Sequence, residues 1–249
     1  MRLIVLASLT TLLFTANIAE AQIEDLRQGP IPTWVKTSPL RSVPDNALGL
    51  AFFRQNDQFT HLHEGGQVTF QGQRIKLLDP RALEAGNLSI SWNPAAGEPT
   101  VHELLIHRDG EIINVLEKSK FEILRREQQL EQSILNGFLT AVLRVPDLRI
   151  GDELEWAYSV PSKDPTLGND SFGLMAFSAA PLAGRHALGV SWENGQKPTI
   201  KIPNALANFE NRTSNSIEIE LDDPKMVEPT KFAPPRYSWG RVIEYSDYS

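Results

Sequence analysis

The sequence predicts an all-β protein, a large antiparallel β-sandwich of many short strands with at most one short helix. Apolar and polar residues alternate over short runs, and turn residues interrupt these runs about every 8–12 residues. The alternation is clear where Phe59, His61 and His63 alternate with Thr60 and Leu62. There is no heptad pattern and no internal repeat. Short alternating strands separated by turns are typical of β-sandwiches.

The chain divides into four segments by composition. Residues 1–21 have the features of a signal peptide, and residues 22–46 form an extended arm with prolines that exclude a long helix. Residues 47–222 carry the strand pattern and form the sandwich domain. Residues 223–249 are a proline-rich linker with strand character.

Within the sandwich, the strands are predicted from alternation and bounded by turns. Residues 120–126 start as a strand, and an irregular or single-turn helical link follows to Asn136. Asn194-Gly195 is a strong two-residue turn signal, so a hairpin is expected there. Trp92, Trp156 and Trp192 lie in apolar strands and are expected in the core. The clearest strands are Leu88–Trp92, Val101–His107, Leu139–Val145, Glu153–Val160 and Ser216–Leu221.

Composition excludes several function classes. The chain has 249 residues, a net charge of −7 and no cysteine. An acidic chain without a Lys/Arg cluster argues against nucleic acid and against an anionic membrane surface as partners. Because no thiol is present, disulfides, Cys-ligated zinc and a cysteine nucleophile are all excluded.

Two glycine-centred turns are the most specific features of the sequence. One is HRDG at His107–Gly110, and the other is DLRIGDELEW at Asp147–Trp156. Together with LNGFLTAVL (Leu135–Leu143), they resemble an exported bacterial domain of unknown function that precedes transglutaminase-like domains. The resemblance also includes the C-terminal segment EPTKFAPPRYSWGRVIEYSDYS (Glu228–Ser249).

This resemblance implies an exported accessory module without catalytic residues of its own. Its partner would be a transglutaminase-like domain in cis or in trans, or a polymer or protein of the cell envelope. The alternative function is a free-standing carbohydrate- or peptide-binding sandwich. Because none of the family's catalytic positions exists in this chain, we expect no enzymatic activity, no cofactor and no metal.

The turn residues are expected to be structural. Asp147 and Asp152 would accept backbone N–H bonds around Gly151, which needs unusual dihedral angles. The full set of predicted structural turn residues is His107, Gly110, Asp147, Arg149, Gly151 and Asp152.

Two further groups of residues have side chains that could carry chemistry. His61 and His63 share a strand face and could form a metal pair, but hydrogen-bonded histidines on a polar face are the more common arrangement. A general acid/base pair near Gly151 would need two carboxylates that face one cleft. The candidate partner contacts are Trp34, Trp239 and Tyr245.

Export is directly testable. The apolar run Leu3–Phe14 is too short to span a membrane, and Ala19 and Ala21 satisfy the small-x-small cleavage rule. We therefore predict a periplasmic or secreted protein that is cleaved between Ala21 and Gln22 and retains no membrane span. Mass spectrometry of the exported protein should find Gln22 at the N-terminus, whereas an intact Met1 in mature material would contradict the prediction.

Overall fold

The computed structural model of the chain describes residues 25–125, 137–164, 166, 168, 170–178, 181–225 and 241–248. Strands account for 51% and helices for 8% of the residues, which confirms the predicted all-β class. The predicted signal peptide and the predicted link from Arg126 to Asn136 lie outside the described residues. No helix in the described part of the chain is long and apolar enough to cross a membrane.

A nine-stranded central sheet organises the described residues. Most adjacent strands of this sheet run antiparallel. The two parallel pairs are Arg27–Gln28 with Thr100–Arg108 and Ala51–His63 with Arg185–Trp192. In spatial order the sheet contains β1 (Arg27–Gln28), β5 (Thr100–Arg108), β9 (Glu153–Ser162), β3 (Gly66–Leu77), β2 (Ala51–His63), β11 (Arg185–Trp192), β14 (Ser216–Asp222) and β13 (Glu210–Arg212), and β6 (Glu111–Asn114) pairs with β5.

Two three-stranded sheets pack on one face of the central sheet. One contains β4 (Asn87–Trp92), β8 (Leu139–Arg144) and β7 (Glu122–Arg125), and the other contains β10 (Phe172–Ala176), β15 (Val242–Ser246) and β12 (Thr199–Lys201). Short 3-10 helices connect some strands, at Pro80–Gly86, Pro94–Ala96, Val115–Glu117 and Ala207–Phe209.

The β2–β3 hairpin is the longest element of the fold. Strand β2 alone has 13 residues. A bulge between Phe53 and Gln55 keeps the ladder to β3 continuous. At the tip, Gly65 and Gly66 have φ of 103° and 144°, which residues with a side chain rarely adopt.

The first core cluster lies between the β4–β8–β7 sheet and the β5–β9 end of the central sheet. Trp92 and Trp156 are 1% and 7% exposed, which confirms both as core residues. Phe121 stacks on Trp156 with ring centroids 5.6 Å apart. The cluster buries every second residue of β4, the pattern of a strand with one face toward the core.

The second core cluster lies between the β10–β15–β12 sheet and the other end of the central sheet. Trp192 is buried here, as predicted, and Ile243 and Tyr245 of β15 are 0% and 5% exposed. The strand character predicted within residues 223–249 is therefore present as β15. This strand is the centre of its sheet, because β10 and β12 pair with its two edges.

The opposite face of the central sheet is covered by the N-terminal arm. Ile31, Trp34 and Val35 pack against Phe59 and Phe70. The arm also adds β1 to the sheet edge, although this strand is only two residues long. Its prolines explain the short pairing, because proline has no N–H to donate to a ladder.

The hairpin predicted at Asn194-Gly195 is not formed. A turn is present at these residues, with Gly195 at φ of 101°. However, the flanking strands β11 and β12 belong to different sheets. Both edges of β11 are already paired, with β2 and with β14, so β12 pairs with β15 instead.

One glycine permits the close packing of β10 on β15. A Cβ atom on Gly173 would overlap the phenol of Tyr245. We predict that Gly173→Ala lowers the free energy of unfolding by about 1–3 kcal/mol, the usual cost of overpacking a core. Urea denaturation measures this change.

The control for this prediction is a double-mutant cycle. In the Tyr245→Ala background the overlapping ring is absent, so Gly173→Ala should cost much less than in the wild type. Equal costs in both backgrounds would show that the Tyr245 ring is not the constraint at Gly173.

Candidate functional site

The two predicted turns meet in space and are joined by an ion pair. Arg108 Nε and Nη2 donate to the two carboxylate oxygens of Asp152, at 2.8 and 2.7 Å. Arg108 Nη2 also donates to the backbone oxygen of Asp147 at 2.6 Å. Because the fork of one guanidinium fits one carboxylate, this bidentate geometry fixes the β5–β6 turn against the corner before β9.

The corner before β9 is closed by backbone conformation and by Asp152. Gly151 has φ of 89° and Asp147 has φ of 52°, both in the left-handed region. The backbone N–H of Arg149 donates to Asp152 at 2.8 Å, and the Arg149 side chain donates to Asp147 at 2.7 Å. The predicted turn residues are therefore brought together, with Gly110 at φ of 85° in the facing turn.

Arg108 is a site residue that sequence reasoning missed. It lies inside HRDG, but its role becomes visible only when that turn is placed beside DLRIGD. The sequence does contain a signal for this pair, because a basic residue lies beside Gly110 and acidic residues lie on both sides of Gly151. The hydrogen bonds from Arg108 hold the pKa of Asp152 below its ordinary value.

His107 belongs to a charged ladder across the sheet. Its Nε2 contacts Glu155 at 2.5 Å, and Arg74 lies 3.5 Å from the same carboxylate. Arg74 and Arg54 both donate to Glu153 at 2.8 Å. Each of these side chains is at most 22% exposed, and all are paired with one another. The ladder stabilises the sheet face and holds no unpaired group that could act as a nucleophile.

The Arg108–Asp152 pair yields a prediction about stability. Asp152→Asn removes a carboxylate that is 2% exposed and leaves the partly buried Arg108 guanidinium with only the exposed Asp147 as a counter-ion. We predict a loss of about 2–4 kcal/mol in the free energy of unfolding at neutral pH, measured by urea denaturation. The wild type should lose the same stabilisation as the pH falls through the lowered pKa of Asp152.

Asp109→Asn is the matched control. Asp109 lies in the facing turn, is exposed and has φ of 51°, which asparagine adopts easily. This change should alter the stability by less than about 0.5 kcal/mol. Equal effects of the two substitutions would mean that the Arg108–Asp152 pair does not join the turns.

The histidines on the strand faces have local hydrogen-bond partners. His61 Nδ1 lies 2.9 Å from Ser191 Oγ, and His63 Nδ1 lies 3.1 Å from the backbone oxygen of Glu64. His102 contacts Ser159 Oγ at 3.0 Å. In the described part of the chain, no three His, Asp or Glu side chains are grouped in a way that could hold a metal ion.

A buried ion pair links β2 to its neighbour β11. Arg185 Nη1 donates to Asp57 at 2.7 Å, and the two side chains are 3% and 0% exposed. Burial raises the pKa of Asp57 to about 6 despite the neighbouring guanidinium. Because the pair has almost no contact with solvent, it serves the packing of β2 against β11.

The predicted partner contacts have different locations. The Trp34 ring stacks on His61 with centroids 5.2 Å apart and is half-buried. Tyr245 is 5% exposed and belongs to the second core cluster. Trp239 lies outside the described residues. Near the C-terminus, Tyr248 is 55% exposed, although the sequence did not single it out.

The outer side of the β10–β15–β12 sheet carries a cluster of exposed apolar side chains. Phe172, Leu174 and Tyr248 are each 55–56% exposed, and we call their surface the outer apolar face. They line a groove of about 810 Å³ together with Lys201 and Glu244, among other residues. An apolar cluster of this kind with a polar rim is typical of a protein-interaction surface.

The family of the chain is shown by its sequence. Residues 63–228 match the family described as a domain of unknown function with a solved structure, DUF3857. The chain belongs to the DUF3857 family. The matched range contains both turn motifs, β10 and the charged ladder except for Arg54. No curated protein matches the sequence.

The fold of the chain is similar to part of a solved protein structure. A crystal structure from Parabacteroides distasonis, described as a candidate protease, aligns with a TM-score of 0.62 and 16% identity over 81% of this chain. The chain spans 41% of that protein's length. Yeast LTA4 hydrolase aligns with a TM-score of only 0.36 at 12% identity, over 80% of this chain and 29% of the hydrolase. The first likeness supports a shared fold alone.

Proposed function

We propose that this DUF3857 chain is an exported, non-catalytic module that positions or covers a transglutaminase-like acyl-transferase or protease domain. The observation that carries the proposal is the outer apolar face, where Phe172, Leu174 and Tyr248 are more than half exposed. Burying such side chains against another protein is favourable by about 25 cal/mol for each Å² of apolar surface. The face is therefore a suitable docking surface for a second domain.

The hydrogen bonds of the two glycine-centred turns support a structural role for them. Arg108 and Arg149 each donate hydrogen bonds to both Asp147 and Asp152, so these charges join the two turns. The chain has no cysteine, so a thiolate mechanism would need residues of another domain. The described candidate protease is also longer than this chain, which leaves room in that protein for a further domain.

A second function, binding of a small neutral ligand such as a sugar, is supported by one cavity. It has a volume of about 320 Å³ and lies where the ends of β3, β4, β9 and β10 approach. Its lining combines the rings of Phe138 and Phe172 with polar side chains, among them Gln67, Ser91 and Asn93, and with the charged side chains of Lys163, Asp164 and Asp170. Aromatic rings beside hydroxyl and amide groups suit a sugar, which has an apolar face and many hydroxyls.

The docking proposal is tested by binding. The partner is a transglutaminase-like domain whose coding sequence lies next to the one for this chain. Calorimetry measures the Kd of the complex between this domain and the chain. Phe172→Ser combined with Leu174→Ser should weaken binding at least about tenfold, because central apolar contacts dominate interface energies. The control is Ile112→Ser in β6, since Ile112 is 65% exposed and lies on another sheet.

Each outcome of this experiment has a clear meaning. Binding by the wild type and the Ile112 control, with loss in the double variant, supports docking through the outer apolar face. No measurable association of the wild-type chain would contradict the accessory role. Unchanged binding of the double variant would exclude the outer apolar face as the docking surface.

A further inference from the structure

The edge strand β10 beside the outer apolar face lacks the usual protection. In the described part of the chain, β10 pairs with β15 on one side and with no strand on the other. Its sequence, FGLMA, contains no charged residue and no proline. The opposite edge strand, β12, is shorter, follows Pro198 and contains Lys201. Charges, proline and short length are the devices that normally prevent edge pairing, and β10 has none of them.

The backbone groups at this edge have a defined orientation. Phe177 N donates to Arg241 O at 3.1 Å, and Asp247 N donates to Ser171 O at 3.0 Å. In an antiparallel ladder, successive residues turn their N–H and C=O groups alternately toward and away from the partner strand. The backbone groups of the even-numbered residues Phe172, Leu174 and Ala176 therefore point to the unpaired edge.

The side chains of the same residues lie on the outer apolar face. Phe172 and Leu174 are 55% and 56% exposed, and Ala176 is exposed as well. A strand added beside β10 would pair its backbone with these three residues. Its alternate side chains would then lie next to Phe172 and Leu174, where they extend the apolar surface.

The charges near this edge are mostly acidic. Asp170 and Asp247 flank the start of β10, and Glu244 lies across from Leu174 on β15. Glu244 is paired with Lys201 at 3.8 Å, but both are more than 60% exposed and only weakly coupled. With a net charge of −7 for the chain, the surface complements a basic segment better than an acidic one.

We propose that the outward edge of β10 binds an extended segment of a partner polypeptide as an added strand, with apolar side chains at alternate positions and a net positive charge. This inference rests on the proposed accessory function, since the segment would belong to the docked domain. Main-chain hydrogen bonds would supply affinity, and the groove beside Phe172 and Leu174 would select the alternating side chains.

Synthetic peptides test the edge without changing the protein. The probe is the acetylated, amidated hexapeptide Lys-Val-Lys-Val-Lys-Val, titrated into the full chain and followed by amide NMR shifts. Binding should perturb residues of β10 and weaken as salt increases. A peptide of the same composition with its three valines adjacent, and one with glutamate in place of lysine, should each bind at least about tenfold more weakly.

N-methylated probes separate backbone pairing from side-chain contact. Methyl groups on the amides of one alternate set of residues should abolish binding, and methyl groups on the other set should leave it unchanged, because only one edge of the peptide faces β10. Equal effects of the two sets, or equal binding of all three unmethylated peptides, would overturn the proposal.

Variants of the chain extend the test to the partner domain. Leu174→Pro removes an N–H that points outward, a position where an edge strand tolerates proline, whereas Leu174→Ala removes only the side chain. Binding of the transglutaminase-like domain should fall at least about tenfold more for Leu174→Pro than for Leu174→Ala. Equal losses would overturn strand addition while leaving the accessory function intact.

The remaining outcomes also decide between proposals. If the domain does not bind the wild type, the accessory function fails, and the peptide experiment still judges the edge independently. Sedimentation velocity measures whether two copies of this chain form a dimer. A dimer that disappears in Leu174→Pro would replace the partner segment by a second β10 and overturn the proposal.

Discussion

The fold depends on covering both faces of one long hairpin. Strands β2 and β3 lie in the middle of the nine-stranded sheet, and their side chains alternate between its two faces. Phe59 and Phe70 point to the face covered by the arm, whereas Leu62 points to the face covered by the second small sheet. A central sheet with large apolar side chains on both faces needs two covering layers.

This constraint explains why distant parts of the sequence cooperate. The arm before β2 and the strand β15 near the C-terminus both cover the same sheet, on opposite faces. Glycine permits close approach at β10, where Gly173 makes room for Tyr245. Strand β15 therefore contributes Ile243 and Tyr245 to the core and also pairs with β10, which carries Phe172 and Leu174 of the outer apolar face.

The charged residues of the motifs serve this architecture. The Arg108–Asp152 pair fixes the turn after β5 to the corner before β9, which sets the register at one end of the central sheet. Charges that are paired and largely removed from water gain specificity of arrangement more than net stability. The features suited to binding are found elsewhere, on exposed apolar side chains of the β10–β15–β12 sheet.

The sequence by itself determined the all-β class, most strands, the three core tryptophans and the two glycine turns. These follow from local alternation and from the backbone angles that glycine allows, so neighbouring residues suffice to predict them. Only the tertiary structure decided that Arg108 meets Asp152, that β12 leaves β11 to pair with β15, and that Tyr245 is buried while Phe172 and Leu174 are exposed. Each of these depends on strand pairing between residues far apart in the chain, which alternation cannot specify because many registers bury the same number of apolar side chains.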